Sequence, residues 1–368
     1  MSEHVRLGVI GAGGIFRRRH FPAFAEMDDV SVEIIANRSV ESAHEIAQEF
    51  GFDATASDDP DAVVAHENVD AVMVGTWPYK HHEYALAALD AGKHVFVQAR
   101  MARTYAEAKE MHDAARETDL VTQVCPSPMA MDGDRTMRRL LDEGYVGDVH
   151  LIRGHVLSGN GIDPKTPLHW RDVEHYQGVN ALQVGILAER LHRWFGHADT
   201  ISARAQTRIL ERPLPDEGAD AAGGADGDAD GDTTTGDERE TAPVERPDLI
   251  SIDCEMANGA FMTLDFCSVA EHSPDNQVEV YGSEGTLVYE FADDTIRGAA
   301  VDDDELLEIQ IPDEERVEWS VERDFVDAIR EGGSPRTTFH EGMKYMEFTE
   351  AVFRSVERGE AVNLPLVR

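Results

Sequence analysis

Short apolar runs alternate with segments of helical periodicity along the first third of the chain. The runs predict strands at residues 7–10, 30–36, 70–75, 94–98 and 120–124. Between them apolar side chains recur at helical spacing, and Ser39 and Thr104 stand where helix N-caps belong, Thr104 in a capping box with Glu107. This alternation predicts a doubly wound parallel sheet, which binds ligands at the carboxyl ends of its strands.

The remainder of the chain follows a different pattern. Residues 180–195 predict a helix with a core stripe and a second face that carries Asn180, Gln183 and Leu187. Strands of alternating polarity follow, with a hairpin turn at residues 257–260, and two more helices are predicted near 321–330 and 341–357. We therefore predict an α/β domain at residues 1–123 and an α+β domain at 124–368, in which helices cover a mostly antiparallel sheet.

An acidic, low-complexity insert at residues 213–246 interrupts the second domain. It has too few apolar side chains to bury, so we expect disorder. Residues 226–231 imitate the start of an EF-hand calcium loop, but Asp237 stands where the loop needs Glu and no flanking helix is predicted. We expect no specific metal site there.

The charge of the chain excludes one class of partner. The formal net charge is −39, with 72 acidic and 33 basic residues, and only five of the basic residues are lysines. Nucleic-acid binding requires clustered Lys and Arg, so it is excluded. An acid-rich, lysine-poor surface suits a halophilic protein, because concentrated salt screens the self-repulsion.

Other classes are disfavoured by what the sequence lacks. Three scattered cysteines form neither a disulfide framework nor a zinc motif. No apolar run reaches membrane-spanning length, and the triplet Arg17–Arg19 lies within the first predicted helix rather than in an export signal. We expect a cytoplasmic protein without a membrane partner.

A glycine turn after the first strand is the main candidate for ligand binding. Gly11 and Gly13 fill the first two positions of G-x-G-x-x-G, and Gly14 and Ile15 lead into a helix whose N-terminus can bind a pyrophosphate. Phe16 occupies the third position, where Gly or Ala is usual, so a plain turn without a ligand is the alternative.

The end of the second strand bears on the choice of dinucleotide. NAD enzymes usually place Asp or Glu there, whereas this chain has Asn37, Arg38 and Ser39. Arg38 and Ser39 can receive a 2′-phosphate, so we expect NADP, with NAD as the other possibility. In the alternative interpretation, Asn37 binds a ribose hydroxyl and Arg38 faces solvent.

Four motifs in order resemble those of the Gfo/Idh/MocA (glucose–fructose oxidoreductase / inositol dehydrogenase) family. They are the glycine turn, Thr76-Trp-Pro78 followed by His81, residues 91–95 (AGKHV), and residues 281–287 (YGSEGTL). The resemblance implies a Rossmann NAD(P)-binding domain followed by a substrate domain, with Thr76, Pro78, His81 and Gln98 on the cofactor side. We also expect a homo-oligomer formed through the C-terminal sheet.

The chain departs from this family where proton transfer is expected. The family's E-K-P reads Gln98-Ala99-Arg100 here, so Ala99 replaces the Lys. The family's D-x-G-x-H reads Gln183 to Leu187, so Asp and His are replaced as well. Neither Gln nor Leu exchanges a proton near neutral pH, and the family's usual mechanism cannot be carried over.

A polar, aromatic loop before the second-domain helix supplies other candidates. His169 and Tyr176 are our candidate acid–base groups, with His175 as a further one, and Arg100 can bind an anionic group. Residues expected to hold a sugar by stacking or hydrogen bonds are Trp170, Arg171, Asn180 and Gln183. Loop packing is the alternative for the histidines and Tyr176, and a salt bridge between domains is the alternative for Arg100.

Two hypotheses follow for function. The first is an NAD(P)-dependent oxidoreductase that transfers hydride to or from a sugar, sugar acid or polyol, with a non-standard acid–base set. The second is a nucleotide-binding sensor or partner subunit without catalysis, which the replacement of Lys, Asp and His favours.

Overall fold

The structure, a computed structural model, describes residues 4–125, 131–215 and 240–367. The first part of the chain forms a six-stranded parallel sheet in the order β3-β2-β1-β4-β5-β6. Its strands are β1 Val5–Ile10, β2 Val30–Ala36, β3 Thr55–Ser57, β4 Ala71–Val74, β5 His94–Val97 and β6 Thr122–Val124. The strand order reverses between β1 and β4, and a ligand crevice is expected at such a point. The predicted doubly wound sheet is confirmed.

Five helices accompany this sheet, and two of them begin at the caps that the sequence predicts. They are α1 Phe21–Ala25, α2 Val40–Phe50, α3 Pro60–Ala65, α4 Pro78–Asp90 and α5 Tyr105–Arg116. Ser39 caps α2 in a capping box with Ser42. Only half of the capping box predicted at α5 is formed. Thr104 Oγ1 accepts from Glu107 N, as predicted, but the Glu107 carboxylate accepts from Arg103 N instead of from Thr104 N.

The second part of the chain forms a mixed, mostly antiparallel sheet. Its strands are β7 Val149–Leu157, β8 Ala198–Gln206, β9 Glu211–Pro213, β10 Thr241–Pro243, β11 Leu249–Met256, β12 Phe261–Cys267, β13 Gln277–Gly282, β14 Gly285–Glu290, β15 Thr295–Ala300, β16 Leu307–Ile309 and β17 Val362–Asn363. Apart from β9 and β10, these strands order as β16-β15-β14-β13-β7-β12-β11-β8-β17, and only β7 and β12 pair in parallel. The predicted hairpin lies between β11 and β12, where Gly259 has φ +88°.

Helices cover one face of this sheet and also join it to the first. They are α6 Asp134–Asp142, α7 Glu174–Gln177, α8 Val184–Phe195, α9 Val321–Glu331 and α10 Phe339–Arg358. α10 packs between α5 and α8, whereas α9 packs against the first sheet, in one core with Phe16 and Phe21. The chain therefore returns to the first sheet near its end, and the division at residues 123 and 124 stays a prediction.

The expected disorder of residues 213–246 is wrong at both ends of that segment. β9 and β10 pair as an antiparallel ribbon, with Ala242 opposite Arg212. Arg246 then donates a hydrogen bond from Nη1 to Gly178 O at 2.7 Å. These tertiary contacts supply the stabilisation that the local composition lacks. Residues 216–239, including the calcium-loop imitation at 226–231, lie outside the described residues.

Two further observations concern ligands and membranes. In the described ranges, no group of three or more His, Cys, Asp or Glu side chains is arranged to hold a metal ion. Within the same ranges, no helix combines the length and the apolar character that crossing a membrane requires. The three cysteines are buried and unpaired.

Candidate functional site

The glycine turn lies against the end of β4. Gly11 has φ +82°, and a Cβ added there would stand 2.8 Å from Thr76 N, so both backbone conformation and space require glycine. A Cβ at Gly13 would meet no atom within 4 Å, whereas one at Gly14 would stand 3.3 Å from Arg18. Gly13 thus borders open space in which a ligand can approach the backbone.

Phe16 packs in an arrangement that the dinucleotide fingerprint does not predict. Its ring is fully buried, within the π-helical segment Phe16–His20 that precedes α1. A Cβ added to Gly75, just after β4, would lie 2.4 Å from Phe16 Cε2. The helical segment therefore still packs closely on the sheet. The glycine that makes room is Gly75 at the end of the neighbouring strand β4, and not a glycine at the third position of the fingerprint. Ile15 packs against the same core.

The end of β2 presents the residues predicted to meet the adenosine ribose. Asn37 is half-buried, and its backbone N donates to Ser57 O at 3.1 Å. Arg38 is exposed. The Ser39 hydroxyl accepts from Ser42 N at 3.2 Å, so it caps α2 but still has its own proton to donate.

Two polar atoms at the ends of β4 and β5 have no partner. Thr76 Oγ1 and Gln98 Oε1 are buried and make no hydrogen bond within the described residues. Native proteins leave few such atoms, because an unsatisfied buried polar group costs about 1–3 kcal/mol. Both residues follow strands at the edge where a parallel sheet binds its ligand. Both atoms are therefore available to hydrogen-bond a ligand that enters the crevice.

His81 lies behind this edge rather than in it. Its ring is fully buried, with Nδ1 2.8 Å from Arg100 O and Nε2 2.7 Å from Thr76 O. Burial lowers the pKa of His81, and a neutral ring donates to only one of the two carbonyl groups. His81 therefore ties the end of β4 to the segment after β5. Pro78, also buried, starts α4.

The segment after β5 packs directly on the segment before α8. Arg100 Nη2 donates to Leu182 O at 2.9 Å, and Asn180 Nδ2 donates to Ala102 O at 2.8 Å. Val179 N donates to Arg103 O at 2.8 Å. The position of the family's E-K-P and the start of the second-domain helix are thus in contact, as a shared site requires.

Arg100 is half-buried in this seam and lies near one buried acid. Burial lowers the pKa of its guanidinium, while Tyr345 and Glu189 oppose that shift. Glu189 is 4% exposed and accepts a hydrogen bond from Thr337 Oγ1 at 3.2 Å. An arginine retains its proton even here, so Arg100 can bind an anion but cannot relay a proton.

The predicted polar face of the second-domain helix is not formed. Leu182 has φ +47°, which interrupts the helix, and α8 starts at Val184 instead of at Asn180. Gln183 is therefore an exposed N-cap residue, whereas Asn180 lies buried before the helix. Leu187 is 1% exposed and packs in the core. Asn180 Oδ1 is buried without a partner. The start of α8 thus brings no proton carrier to the crevice.

The loop before α8 brings aromatic residues to the first sheet. His169 Nδ1 accepts from Arg171 N at 3.2 Å, which leaves Nε2 as the protonated nitrogen of the neutral ring. The Trp170 ring stacks on Trp77 at 5.2 Å, and Arg171 Cζ lies 4.4 Å from the Trp170 ring centroid. These contacts already occupy part of the ring that was predicted to stack on a sugar.

The contact made by Trp77 was not predicted. Tyr176 contacts Trp77 edge-on at 4.8 Å, and Tyr79 contacts both Tyr176 and His175. The signal in the sequence was Trp77 itself, which stands directly after Thr76 where the family's T-P-x-x-x-H motif has Pro.

Comparisons with known proteins match this architecture. Residues 5–125 match the family model for the oxidoreductase family with an NAD-binding Rossmann fold, GFO_IDH_MocA, and residues 135–288 match the GFO/IDH/MocA C-terminal domain. Levoglucosan dehydrogenase of Pseudarthrobacter phenanthrenivorans is 28% identical, with 99% of each chain covered. Inositol 2-dehydrogenase of Gluconacetobacter diazotrophicus is 30% identical over 54% of this chain and 56% of its own.

Solved structures give the same result for the fold. Levoglucosan dehydrogenase in complex with NADH and L-sorbose has a TM-score of 0.83 at 24% identity, with 98% of this chain and 99% of that chain covered. Its complex with NADH and levoglucosan has a TM-score of 0.82 at 23% identity, covering 99% and 100%. With both of its domains matched, the chain belongs to the Gfo/Idh/MocA family of oxidoreductases.

Proposed function

We propose that the protein is an NAD(P)-dependent oxidoreductase that acts on a sugar, sugar acid or polyol by hydride transfer. The observation that supports this best is the pair of buried atoms Thr76 Oγ1 and Gln98 Oε1, which have no hydrogen-bond partner within the described residues and lie at the strand ends, where Gly11 of the glycine turn packs against Thr76. Relatives named as levoglucosan and inositol dehydrogenases support the substrate class.

The residues at this edge fit a pyridine dinucleotide. The glycine turn and Ile15 would hold the pyrophosphate, and the end of β2 would hold the adenosine ribose. Thr76, Pro78 and Gln98 would border the nicotinamide half, with His81 fixing Thr76 from behind. We propose NADP as the preferred form because β2 is followed by Asn37, Arg38 and Ser39 rather than by the Asp or Glu that NAD enzymes usually place there. The NADH complexes belong to the relatives.

The protein's own groups must move the proton, since the dinucleotide supplies the hydride. His169 Nε2 and the Tyr176 hydroxyl are our candidates, and both lie on the loop that Trp77 contacts. Arg100 would hold an anionic group on the substrate. Trp170, Arg171, Asn180 and Gln183 would hold its hydroxyls, with the unpartnered Asn180 Oδ1 as an acceptor.

We also propose that the chain forms a homo-oligomer through its second sheet. Alternate residues of β11, among them Ser251 and Asp253, are exposed on the face away from the core. Light scattering coupled to size exclusion in molar KCl tests this, and a monomer at every concentration would refute it.

Calorimetry and turnover together test the proposed function. Titration with NADP and NAD in molar KCl should show binding that Thr76→Val weakens, because the hydroxyl is removed at nearly constant volume. A panel of sugars, sugar acids and polyols should then give dinucleotide reduction that His169→Ala or Tyr176→Phe abolishes without loss of binding. No heat with either dinucleotide would overturn the assignment.

A catalytically silent, nucleotide-binding protein is the second candidate. It is favoured by the placement of Gln183 and Leu187, which leaves no proton carrier where the family has Asp and His. Dinucleotide binding with no turnover over the whole panel would select it over the enzyme.

A further inference from the structure

One aromatic contact joins the first sheet to the substrate-domain loop beside the candidate site. Trp77 directly follows Thr76, the residue with the orphaned hydroxyl, and precedes α4. Trp170 lies in the 3₁₀ turn Trp170–Asp172 on the opposite side of the seam. Their rings are 5.2 Å apart and 11° from parallel, so they stack.

Neighbouring rings extend this contact along the loop. The Tyr176 ring meets Trp77 at 4.8 Å and 69°, and Tyr79 meets Tyr176 at 5.5 Å. Arg171 covers the Trp170 ring, which adds a cation–π contact. The rings of Trp77, Tyr79, Trp170 and Tyr176 are called the aromatic clasp below.

The loop is held both by hydrogen bonds and by stacked rings. Near its start, Leu168 N donates to Pro213 O and Glu245 N donates to Asp172 O, both within the second domain. Hydrogen bonds fix its C-terminal end: Val179 N and Asn180 Nδ2 donate to the segment after β5, and Arg246 donates to Gly178 O. The part that carries His169 and Trp170 meets the first sheet through stacked rings. Aromatic pairs prefer particular geometries, so these ring contacts can set the position of this part of the loop against the first sheet.

The clasp also accounts for a departure from the family motif. Thr76 and His81 keep the spacing of T-P-x-x-x-H, so Trp77 stands where the family has Pro, in a chain whose usual Lys, Asp and His positions hold Ala99, Gln183 and Leu187. The Trp77 ring contacts the loop that holds the remaining candidate proton carriers. The change at the Pro position therefore lies in space beside the candidates that would replace the lost acid–base groups.

We propose that Trp77 is a positioning residue that docks the loop of residues 169–177 over the dinucleotide site and so brings His169 and Tyr176 into place. The proposal rests on the proposed function, because it assigns Trp77 a part in the proton transfer of that reaction. Trp77 acts through Trp170 and Tyr176, and the dinucleotide itself is held by the glycine turn and the ends of β4 and β5.

Circular dichroism tests the clasp without any turnover. Two stacked indoles give an exciton couplet in the far ultraviolet, and among the four tryptophans the contact described is between Trp77 and Trp170. Trp77→Phe and Trp170→Phe should each abolish the couplet. Trp319→Phe is the matched control, because Trp319 lies against Glu322 and His20, and should leave the couplet intact. A couplet that survives Trp77→Phe would overturn the proposed stack in solution.

Hydrogen exchange and kinetics test the positioning role. In Trp77→Ala, amides of residues 169–177 should exchange faster, kcat should fall at least about tenfold, and dinucleotide affinity should stay within about twofold. Trp77→Phe should recover most of kcat, and the Trp77→Ala/Trp170→Ala double variant should lose little more than either single one. Unchanged kcat, or a parallel loss of dinucleotide affinity, would overturn the positioning role. Absence of dinucleotide binding in the wild-type protein would instead overturn the proposed function, and the couplet would report the clasp separately.

Discussion

Replacing Phe16 by Ala restores the small residue that the dinucleotide fingerprint usually has at this position, and we expect it to damage the protein. The Phe16 ring is fully buried and contacts His20 at 4.5 Å and Phe21 at 5.5 Å. Its edge also fills the space that a side chain on residue 75 would occupy, since a Cβ on Gly75 would lie 2.4 Å from it. Truncation leaves a void bordered by glycine, which cannot fill it.

The size of the effect follows from burial. Removal of a fully buried Phe side chain costs about 3–5 kcal/mol of unfolding free energy. A domain of 150–250 residues loses roughly 2–4 °C in Tm for each kcal/mol. The Tm of the domain that contains Phe16 should therefore fall by roughly 6–20 °C. Near-ultraviolet circular dichroism during heating in molar KCl measures it. Phe261→Ala is the control, because Phe261 is 58% exposed, and should change stability by less than about 0.5 kcal/mol.

A double-mutant cycle isolates the contact between the two residues. Gly75→Ala places a Cβ 2.4 Å from both Gly11 O and the Phe16 ring, so the single variant should be strongly destabilised. In the Phe16→Ala background the clash with the ring is absent, but the clash with Gly11 O remains. Gly75→Ala should therefore lower the free energy of unfolding by less than it does in the wild type, and still by a measurable amount. The reasoning fails if Phe16→Ala keeps wild-type stability or binds the dinucleotide more tightly than the wild type does.

Three further changes test the charges of the molecule. Arg38→Ala should weaken NADP binding about tenfold and leave NAD binding unchanged in calorimetry, whereas equal loss for both would remove Arg38 from 2′-phosphate recognition. Raising KCl from about 0.1 to 1 M shortens the Debye length from about 10 to 3 Å, so the Tm of this chain of charge −39 should rise, and a flat or falling Tm would contradict solvent adaptation. Burial, with His197 and Lys344 nearby, lowers the pKa of His192 to about 3. Below pH 6.5, His192 is therefore protonated in the unfolded chain but stays neutral in the folded chain. The free energy of unfolding should then fall by up to about 1.4 kcal/mol per pH unit between pH 6.5 and 3. His192→Phe should reduce that slope in urea titrations at several pH values, and an unchanged slope would assign the acid sensitivity to other groups.

The first sheet could be predicted because its strands are buried on both faces. The apolar run Val30–Ala36 is strand β2 to the residue, and the capping residues Ser39 and Thr104 mark helix starts as expected. These signals are local: a run of apolar residues and a side-chain oxygen two or three residues before a backbone N–H.

What the sequence did not reveal depends on distant contacts. The start of α8 is displaced by the left-handed conformation of Leu182, which no glycine or asparagine signals. β9 and β10 are three-residue strands whose pairing is supported by contacts such as Arg246 with Gly178, so composition alone indicated disorder. The stack of Trp77 on Trp170 joins residues far apart in the chain, and the local trace was a tryptophan at the Pro position of a motif.

The placement of Arg100 explains why the loop matters for any chemistry in this crevice. The chain keeps a positive charge at the end of β5, but moves it one residue from the family's Lys position and buries it near Glu189. A guanidinium holds its proton at every pH at which the protein folds, so this charge can orient an anion and cannot exchange a proton. Gln183 at the N-cap of α8 and Leu187 within that helix exchange no proton near neutral pH, so the positions of the family's Asp and His supply none. In the proposed reaction the candidate proton carriers are therefore His169 and Tyr176 of the loop, which reaches the first sheet beside Thr76 through Trp77.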